Sequence, residues 1–338
     1  MTGRAKPVCR AVRHLCRRFL TSSAPGASRR KHADPRIRGS AEKRILDDYA
    51  HLRDNYATPK YPIVLAHGLL GFAELRVNAR LPAIQYWHGI KDALTLNGSS
   101  VLATSVAPSS SIADRAAQLA DGIAAQQREQ QQDQQQQGEK QEPVPVNIIA
   151  HSLGGLDARY MISRLQHPSV RVASLTTIAT PHRGSPVADY FVEEGAGPIH
   201  LPKLYGLIER AGLGTEAFGQ LSTRYMADEF NPATPDEAGV RYFSYGADIG
   251  CRPPLLSVFR HPYGVIARAE GANDGLVSVA SSRWGEYQGT LDGVSHLDLI
   301  NWPNRMRWAV RQWLGFRKTF NAVAFYLGIA DMLAKEGL

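Results

Sequence analysis

The sequence has few cysteines and no long apolar run, and both absences narrow the class of protein. Only three of the 338 residues are cysteine, and two of these, Cys9 and Cys16, precede the main part of the chain, where Cys251 stands alone. A disulfide framework is therefore excluded there, which is typical of a reducing compartment. No stretch approaches the roughly 20 apolar residues that a membrane-spanning helix needs. We therefore expect no transmembrane segment.

The basic residues are concentrated at the amino terminus. The formal net charge is +8, but residues 1–39 contain eleven of the 39 lysines and arginines and a single acidic residue, Asp34. The rest of the chain has slightly more acidic than basic residues. A basic surface on the folded part, which a nucleic-acid partner would require, is therefore not indicated. We expect no nucleic-acid partner.

The amino-terminal segment has the composition of a targeting sequence. Arg10, Arg13 and Arg17 interrupt every apolar stretch, so the segment does not have the uninterrupted apolar core of a secretory signal. Wound as a helix, it places apolar residues 12, 16, 19 and 20 on one face. An amphipathic, arginine- and serine-rich segment with few acids is typical of a mitochondrial presequence, which we predict over residues 1–40. The alternative is a basic arm that associates weakly with anionic membranes.

The remaining chain, residues 41–338, alternates strand-like and helix-like patterns. After a lead-in helix predicted from the spacing of Ile45, Tyr49 and Leu52, apolar runs predict strands. A capping box at Ser111 and Asp114 begins one intervening helix. The strands are predicted at 61–66, 101–107, 144–150, 170–179 and 240–245, and a further helix at 156–166. This order predicts one α/β domain with a mostly parallel sheet and helices on both faces.

A glutamine-rich tract interrupts this pattern. Ten of the sixteen residues from 126 to 141 are glutamine, and none has an apolar side chain. We predict a solvated, low-complexity insert over residues 126–142, between a helix and a strand. A flexible loop is tolerated there because doubling its length costs only about 0.6 kcal/mol of closure entropy.

The sequence AHSLGG at 150–155 is a candidate nucleophile turn. It follows an apolar strand and opens a helix, and a serine on so sharp a turn needs small neighbours two positions away on each side. Ala150 and Gly154 satisfy that need. The turn would expose the Ser152 hydroxyl at the amino end of the helix, where partial positive charge favours an anion.

A serine hydroxyl is a weak nucleophile without a base, and the base needs an acid that fixes its tautomer. His296 follows the last strand-like segment, and His182 is the alternative base. His296 is favoured because it comes after both the serine and an acid, the order of α/β-hydrolases. For the acid, Asp274 is preferred and Asp248 is second, although spacing alone hardly separates them.

Two backbone amides would have to hold the oxyanion that forms during acyl transfer. The amide of Leu153, directly after the serine, is one candidate. The other is the amide of Leu69 in HGLLGF, residues 67–72, which closes the first strand of the alternating region. No metal ligand set is needed for this chemistry.

Five motifs together resemble the true triacylglycerol lipases of bacteria and the related mitochondrial lipases of fungi. The resemblance extends from about residue 61 to 302 in the family's order. The motifs are HGLLGF (67–72), AHSLGGLDARY (150–160), TPHRGS (180–185), NDGLV (273–277) and HLD (296–298). The resemblance implies an α/β-hydrolase fold. It assigns Ser152 as nucleophile, Asp274 as acid, His296 as base, and the backbone amides of Leu69 and Leu153 as oxyanion donors.

The same resemblance implies the substrate and the accessory features. The substrate would be an acylglycerol or another lipid ester met at a lipid interface, with no organic cofactor. Residues 186–230 would contain a helical lid that opens over the site, since glycines in this segment alternate with apolar residues. The alternative is a helical cap that stays fixed over the sheet. Asp298 matches one calcium ligand of bacterial members, but Trp302 stands where a second ligand, a glutamine, is expected, which argues against calcium. A phospholipase, an acyl transferase or an inactive scaffold would share the fold.

Overall fold

The computed structural model describes residues 34–40, 42–69, 74–75, 84–108, 110–134, 143–193, 219–254, 257–302 and 319–338. Most of the predicted presequence lies outside these ranges. Apart from residues 34 and 35, the described residues belong to one compact unit, Arg36–Leu338. Arg38 already pairs with Glu286, so this unit begins a few residues before the boundary predicted at residue 40.

A parallel sheet of seven strands forms the centre of the described chain. The described strands are β1 (Arg44–Ile45), β2 (Ile63–Ala66), β3 (Glu74–Leu75), β4 (Ile84–Gln85), β5 (Val101–Ala103), β6 (Pro145–His151), β7 (Arg171–Ile178), β8 (Arg241–Asp248) and β9 (Glu286–Asp292). The order in the seven-stranded sheet is β1-β9-β8-β7-β6-β2-β5, and every neighbouring pair is parallel. Strands β3 and β4 form a separate antiparallel pair.

Helices connect most of these strands, as a parallel sheet requires. The described helices are α1 (Ile90–Leu96), α2 (Ile112–Gln134), α3 (Gly154–Tyr160), α4 (Pro186–Glu193), α5 (Thr223–Tyr225), α6 (Asn231–Ala233), α7 (Arg260–Ala269), α8 (Val279–Ser282) and α9 (Ala322–Lys335). Two of them continue into a π-helical turn, Met161–Leu165 after α3 and Met226–Phe230 between α5 and α6. In the described ranges, no helix is both long and apolar enough to cross a bilayer.

Alternate strand residues face opposite sides of the sheet, and each side is covered by helices. Ile63 and Leu65 of β2 pack in a cluster with residues of α1 and α9. Val64 and Ala66 pack instead in a cluster with residues of α2 and α3. The period of two along the strand produces this division. The predicted mostly parallel sheet with helices on both faces is therefore confirmed.

The predicted lead-in helix is wrong. Arg44 and Ile45 form the edge strand β1 against β9, and the following residues are turns. The side chain of Ile45 is buried, but Leu52 is 56% exposed, so the residues taken as one apolar stripe do not share a buried face. A strand of two residues is too short for its periodicity to be recognised in the sequence.

The predicted insert over residues 126–142 begins too early. Helix α2 continues to Gln134, so the first nine residues of that range are helical. The side-chain amide of Gln126 donates to the Ala103 carbonyl, and that of Gln127 donates to the Val144 carbonyl. Glutamine is a good helix former, which explains why the helix runs on through a low-complexity tract. Residues 135–142 lie outside the described part.

Candidate active site

Ser152 occupies a strained turn between the buried strand β6 and helix α3. Its backbone φ is 56°, a left-handed conformation that residues other than glycine rarely adopt. Its amide donates to the Ile178 carbonyl at 3.0 Å. Such a residue costs of order 1–3 kcal/mol and persists only where its surroundings over-determine it. The backbone at this turn therefore fits the conformation predicted for an exposed nucleophile.

Glycine is required at position 154 in the Ser152 turn and at position 68 in the loop that faces this turn. A Cβ at Gly154 would lie 2.6 Å from the Ala66 carbonyl oxygen, and one at Gly68 would lie 2.7 Å from the Cβ of Ser152. These distances are shorter than any relaxed contact between non-bonded atoms. The predicted need for a small residue two positions after Ser152 is thus explained by the carbonyl end of β2.

Asp274 and His296 form a buried hydrogen-bonded pair. His296 Nδ1 lies 2.7 Å from Asp274 Oδ2, and both side chains are almost completely buried. The other carboxylate oxygen accepts hydrogen bonds from the amides of Leu276 and Val277, at 2.9 and 2.8 Å. Because a carboxylate can only accept, the ring proton of neutral His296 is on Nδ1 and the Nε2 lone pair is left available.

His296 is also close to the Ser152 turn. Its ring centroid lies 4.5 Å from that of His151, the residue that precedes Ser152. Neither His296 Nε2 nor the Ser152 hydroxyl has a hydrogen-bond partner among the described residues. Catalytic hydrogen bonds often tighten only when substrate is bound, so the two groups remain free to interact.

The two alternative residues are engaged elsewhere. Asp248 accepts a hydrogen bond from the Arg44 side chain at 2.9 Å and from the Gly250 amide at 3.0 Å. His182 is fully buried, with its ring stacked on Trp284 and its Nε2 3.0 Å from the Thr177 hydroxyl. Burial lowers the pKa of His182 well below its ordinary value. The structure therefore brings Asp274, and not Asp248, to His296.

The two candidate oxyanion amides lie beside an apolar cluster. Leu153 is buried with Ile112, Leu156, Met226 and Phe230, and the half-buried Leu69 packs against this group. Within the described ranges, the amides of Leu69 and Leu153 donate to no acceptor. Two unused amides next to apolar side chains can receive the oxygen of an ester that has a hydrocarbon chain.

A buried ion pair supports this region and was missed in the sequence. Arg115 of α2 donates to Asp157 of α3 through Nε at 2.9 Å and Nη2 at 2.7 Å. Its guanidinium also donates to the carbonyls of His67 and Ala107. Burial raises the pKa of Asp157 to about 6, against the attraction of Arg115. Arg115 lies three residues after Ile112 and four before Leu119, so a charge on the buried stripe of α2 was the available signal.

Asp298, the residue that matches a calcium ligand of the bacterial lipases, is hydrogen-bonded within its own turn. Asp298 Oδ2 accepts hydrogen bonds from the Ser295 amide at 3.0 Å and the Ser295 hydroxyl at 2.6 Å. The described residues include no group of three or more histidine, cysteine, aspartate or glutamate side chains that could hold a metal ion.

Known proteins resemble this chain over most of its length. Triacylglycerol lipase 2 of Saccharomyces cerevisiae is 35% identical over 87% of this chain and 97% of that protein. The triacylglycerol lipase of Pseudomonas fragi is 28% identical over 84% of this chain and 100% of that protein. Residues 62–220 match the family model described as palmitoyl protein thioesterase.

Solved structures share the architecture. Staphylococcus hyicus lipase superimposes with a TM-score of 0.58 at 19% identity, over 84% of this chain and 98% of that chain. The mature Bacillus licheniformis lipase gives 0.53 at 23% identity, over 79% of this chain and 95% of that chain. The parallel sheet and the strained serine turn define an α/β-hydrolase, as predicted. Within that class, the chain belongs to the triacylglycerol lipase family and is a carboxylic ester hydrolase.

Proposed function

We propose that this protein hydrolyses triacylglycerols and that Ser152 is its nucleophile. The observation that carries the proposal is the buried hydrogen bond of 2.7 Å between Asp274 and His296, whose ring lies beside the strained Ser152 turn. The names of the relatives in yeast and Pseudomonas support triacylglycerol as the substrate.

Each residue has a defined step in this mechanism. His296 Nε2 takes the Ser152 proton as the hydroxyl attacks the ester carbonyl, and Asp274 stabilises the resulting imidazolium. The amides of Leu69 and Leu153 hold the tetrahedral oxyanion, which collapses when His296 protonates the leaving alcohol. Water, activated by the same histidine, then releases the acyl group from Ser152.

The apolar cluster beside the two amides favours a hydrocarbon acyl chain. Leu221 and Tyr225, within the predicted lid at 186–230, pack against this cluster, while residues 194–218 of the lid lie outside the described part. We propose that the segment covers the site and opens against lipid. Hydrolysis of a short-chain triacylglycerol should then rise steeply once the substrate exceeds its solubility and forms droplets, and a rate that stays on one saturation curve would contradict a moving lid.

The substrate is tested with two lipids and three proteins. Wild type, Ser152→Ala and Ser169→Ala are assayed on triolein emulsion and on phosphatidylcholine vesicles. Ser169 is a matched control, because it lies just before the amino-terminal end of β7, at the opposite end of the sheet from Ser152. We expect wild type and Ser169→Ala to release oleate from triolein and Ser152→Ala to release almost none. Faster release from phosphatidylcholine would make the protein a phospholipase, and no release from either lipid would favour an inactive scaffold.

We also propose a mitochondrial location directed by the amino-terminal segment. The support is its composition of arginine and serine with a single acid. A fluorescent protein carrying residues 1–40 should enter mitochondria, and the same fusion with Arg10, Arg13 and Arg17 changed to glutamine should not. A diffuse cytosolic signal from the unmodified fusion would contradict the proposal.

A further inference from the structure

A buried tyrosine links the candidate oxyanion loop to the Ser152 turn. The hydroxyl of Tyr86 accepts a hydrogen bond from the Gly68 amide at 3.1 Å and lies 2.7 Å from Nδ1 of His151. Tyr86 is only 5% exposed and His151 only 1%. Gly68 directly precedes Leu69, and His151 directly precedes Ser152, so one hydroxyl is bonded to both segments.

The direction of these hydrogen bonds fixes the tautomer of His151. The Gly68 amide can only donate, so the Tyr86 oxygen accepts there and its own proton is free for another partner. The only other partner in the described residues is His151 Nδ1, which must then be an acceptor. The ring proton of His151 is therefore on Nε2.

His151 stays uncharged beside the candidate base. Burial lowers its pKa well below the ordinary value and the positive charge of a protonated His296 lowers it further, while a hydrogen bond to the His296 backbone opposes both effects. The two ring centroids lie 4.5 Å apart, so charge on both rings at once would be strongly unfavourable. An uncharged His151 leaves the positive charge to His296, which must become an imidazolium during acyl transfer.

The space around Gly68 shows how closely these parts are packed. A Cβ at Gly68 would lie 2.7 Å from the Cβ of Ser152 and 3.2 Å from the Tyr86 hydroxyl. A shift of the Gly68 peptide would therefore change the position of the Leu69 amide relative to Ser152. The Tyr86 hydroxyl holds the amide of Gly68, while the Gly68 carbonyl accepts a hydrogen bond from His67 Nδ1 at 3.0 Å.

We propose that Tyr86 and His151 are positioning residues for ester hydrolysis. The Tyr86 hydroxyl holds the Gly68 peptide, and with it the Leu69 amide, at a fixed distance from Ser152, and it keeps His151 as the neutral Nε2–H tautomer against His296. Both residues act by holding other groups in place and take no part in bond making or breaking. This inference rests on the proposed function and adds two residues that align the candidate oxyanion loop with the Ser152 turn.

The test compares two buried tyrosines. Tyr86→Phe removes the shared hydroxyl, whereas Tyr326→Phe removes a fully buried hydroxyl that has no partner among the described residues. We expect kcat on a soluble ester to fall at least about tenfold in Tyr86→Phe with KM changed less than about threefold, because misplacement by 1 Å can cost about 100-fold. The rate of labelling by a fluorophosphonate should fall in the same proportion, and Tyr326→Phe should match wild type.

Three results would overturn the inference. Two are kinetic: full kcat in folded Tyr86→Phe, or an equal loss in Tyr326→Phe. The other comes from 15N NMR of wild-type protein with labelled histidine, which does not depend on how well the variant folds: a His151 signal with the proton on Nδ1 would contradict the tautomer assigned here. Wild type that hydrolyses no ester would refute the proposed function as well, whereas an active Tyr86→Phe protein would refute this role alone.

Discussion

Single residues at the Ser152 turn are constrained chiefly by the backbone around them. Gly154 approaches the carbonyls of Ala66 and His67, and Ser152 takes a left-handed conformation because β6 and α3 meet at a sharp corner. Asp274 likewise has one oxygen held by two amides, so only the other is available to His296. Asp274 and His296 are thus oriented by hydrogen bonds, and Ser152 by its backbone, before any substrate binds.

Asp274→Asn should almost abolish hydrolysis. The amide would turn its NH₂ or its oxygen to His296 without the negative charge, so the imidazolium would lose its stabilisation and the histidine tautomer would no longer be fixed; losses of about 10³-fold or more in kcat are expected. Asp248→Asn is the matched control, because Asp248 pairs with Arg44 and not with His296. Steady-state rates on a soluble ester distinguish the two. A larger loss in Asp248→Asn would reverse the assignment of the acid.

Gly154→Ala should destabilise the fold and impair activity together. The new Cβ would be forced against two backbone carbonyls, at 2.6 and 2.7 Å, and neither can move without shifting β2. We expect the free energy of unfolding to fall by about 1–3 kcal/mol, as is typical of overpacking. Urea unfolding measures this change. Gly219→Ala is the control, since a Cβ there meets nothing within 4 Å, and a Gly154→Ala protein as stable as this control would contradict the close approach of α3 to β2.

Elements differ in how clearly the sequence predicts them. Strands β6 and β7 were predictable because they are rich in apolar and β-branched residues, and α2 because Ser111 caps it: the Asp114 amide donates to the Ser111 hydroxyl at 3.1 Å. The end of α2 was not predictable, because glutamine suits both a solvated loop and a helix. What extends the helix is the contact of two glutamines with strand and loop carbonyls, which no local pattern encodes.

A proline substitution tests whether α2 extends into the glutamine tract. Gln127→Pro would remove a backbone hydrogen bond and clash with the preceding turn inside the helix, so the free energy of unfolding should fall by about 3 kcal/mol. Gln127→Ala keeps the helical backbone and removes only the hydrogen bond to the Val144 carbonyl, so it should lower the free energy of unfolding by only about 1 kcal/mol. Chemical denaturation of both variants provides the comparison. Equal and small effects would mean that α2 ends before the glutamine tract, as the sequence alone suggested.

The site as a whole depends on contacts between distant parts of the chain. Motif order was enough to propose Ser152, Asp274 and His296, but spacing could not separate Asp274 from Asp248, because that choice depends on how the loops after β8 and β9 fold. Arg115 and Asp157 were missed for a similar reason. Their charges are compensated by each other across 42 residues, so neither could be interpreted alone.

The stability of the whole molecule should fall on acidification below pH 6.5. Burial lowers the pKa of His67 to about 4 and those of His151 and His182 well below their ordinary value. The unfolded chain binds these protons near pH 6.5 and the folded chain does not, so stability is lost as the pH falls. Asp157 has its pKa raised to about 6, so the folded chain binds one proton there that the unfolded chain does not yet bind, and this offsets part of the loss of stability. Their combined contribution is about 2–3 kcal/mol per pH unit near pH 5.

Urea unfolding at pH 5, 6 and 7 measures that slope. His51→Gln is the matched control, because His51 is exposed and its replacement should leave the slope unchanged. A free energy of unfolding that stays constant from pH 7 to pH 5 would contradict the burial of three neutral imidazoles.

The most direct test of the central claim is to locate a covalent adduct. Wild-type protein is treated with a fluorophosphonate, digested and analysed by mass spectrometry, with Ser152→Ala and Asp274→Asn treated in parallel. The account predicts one modified residue, Ser152, in wild type, slow modification of the same residue in Asp274→Asn and none in Ser152→Ala. An adduct on another serine, or active protein that forms no adduct, would contradict it.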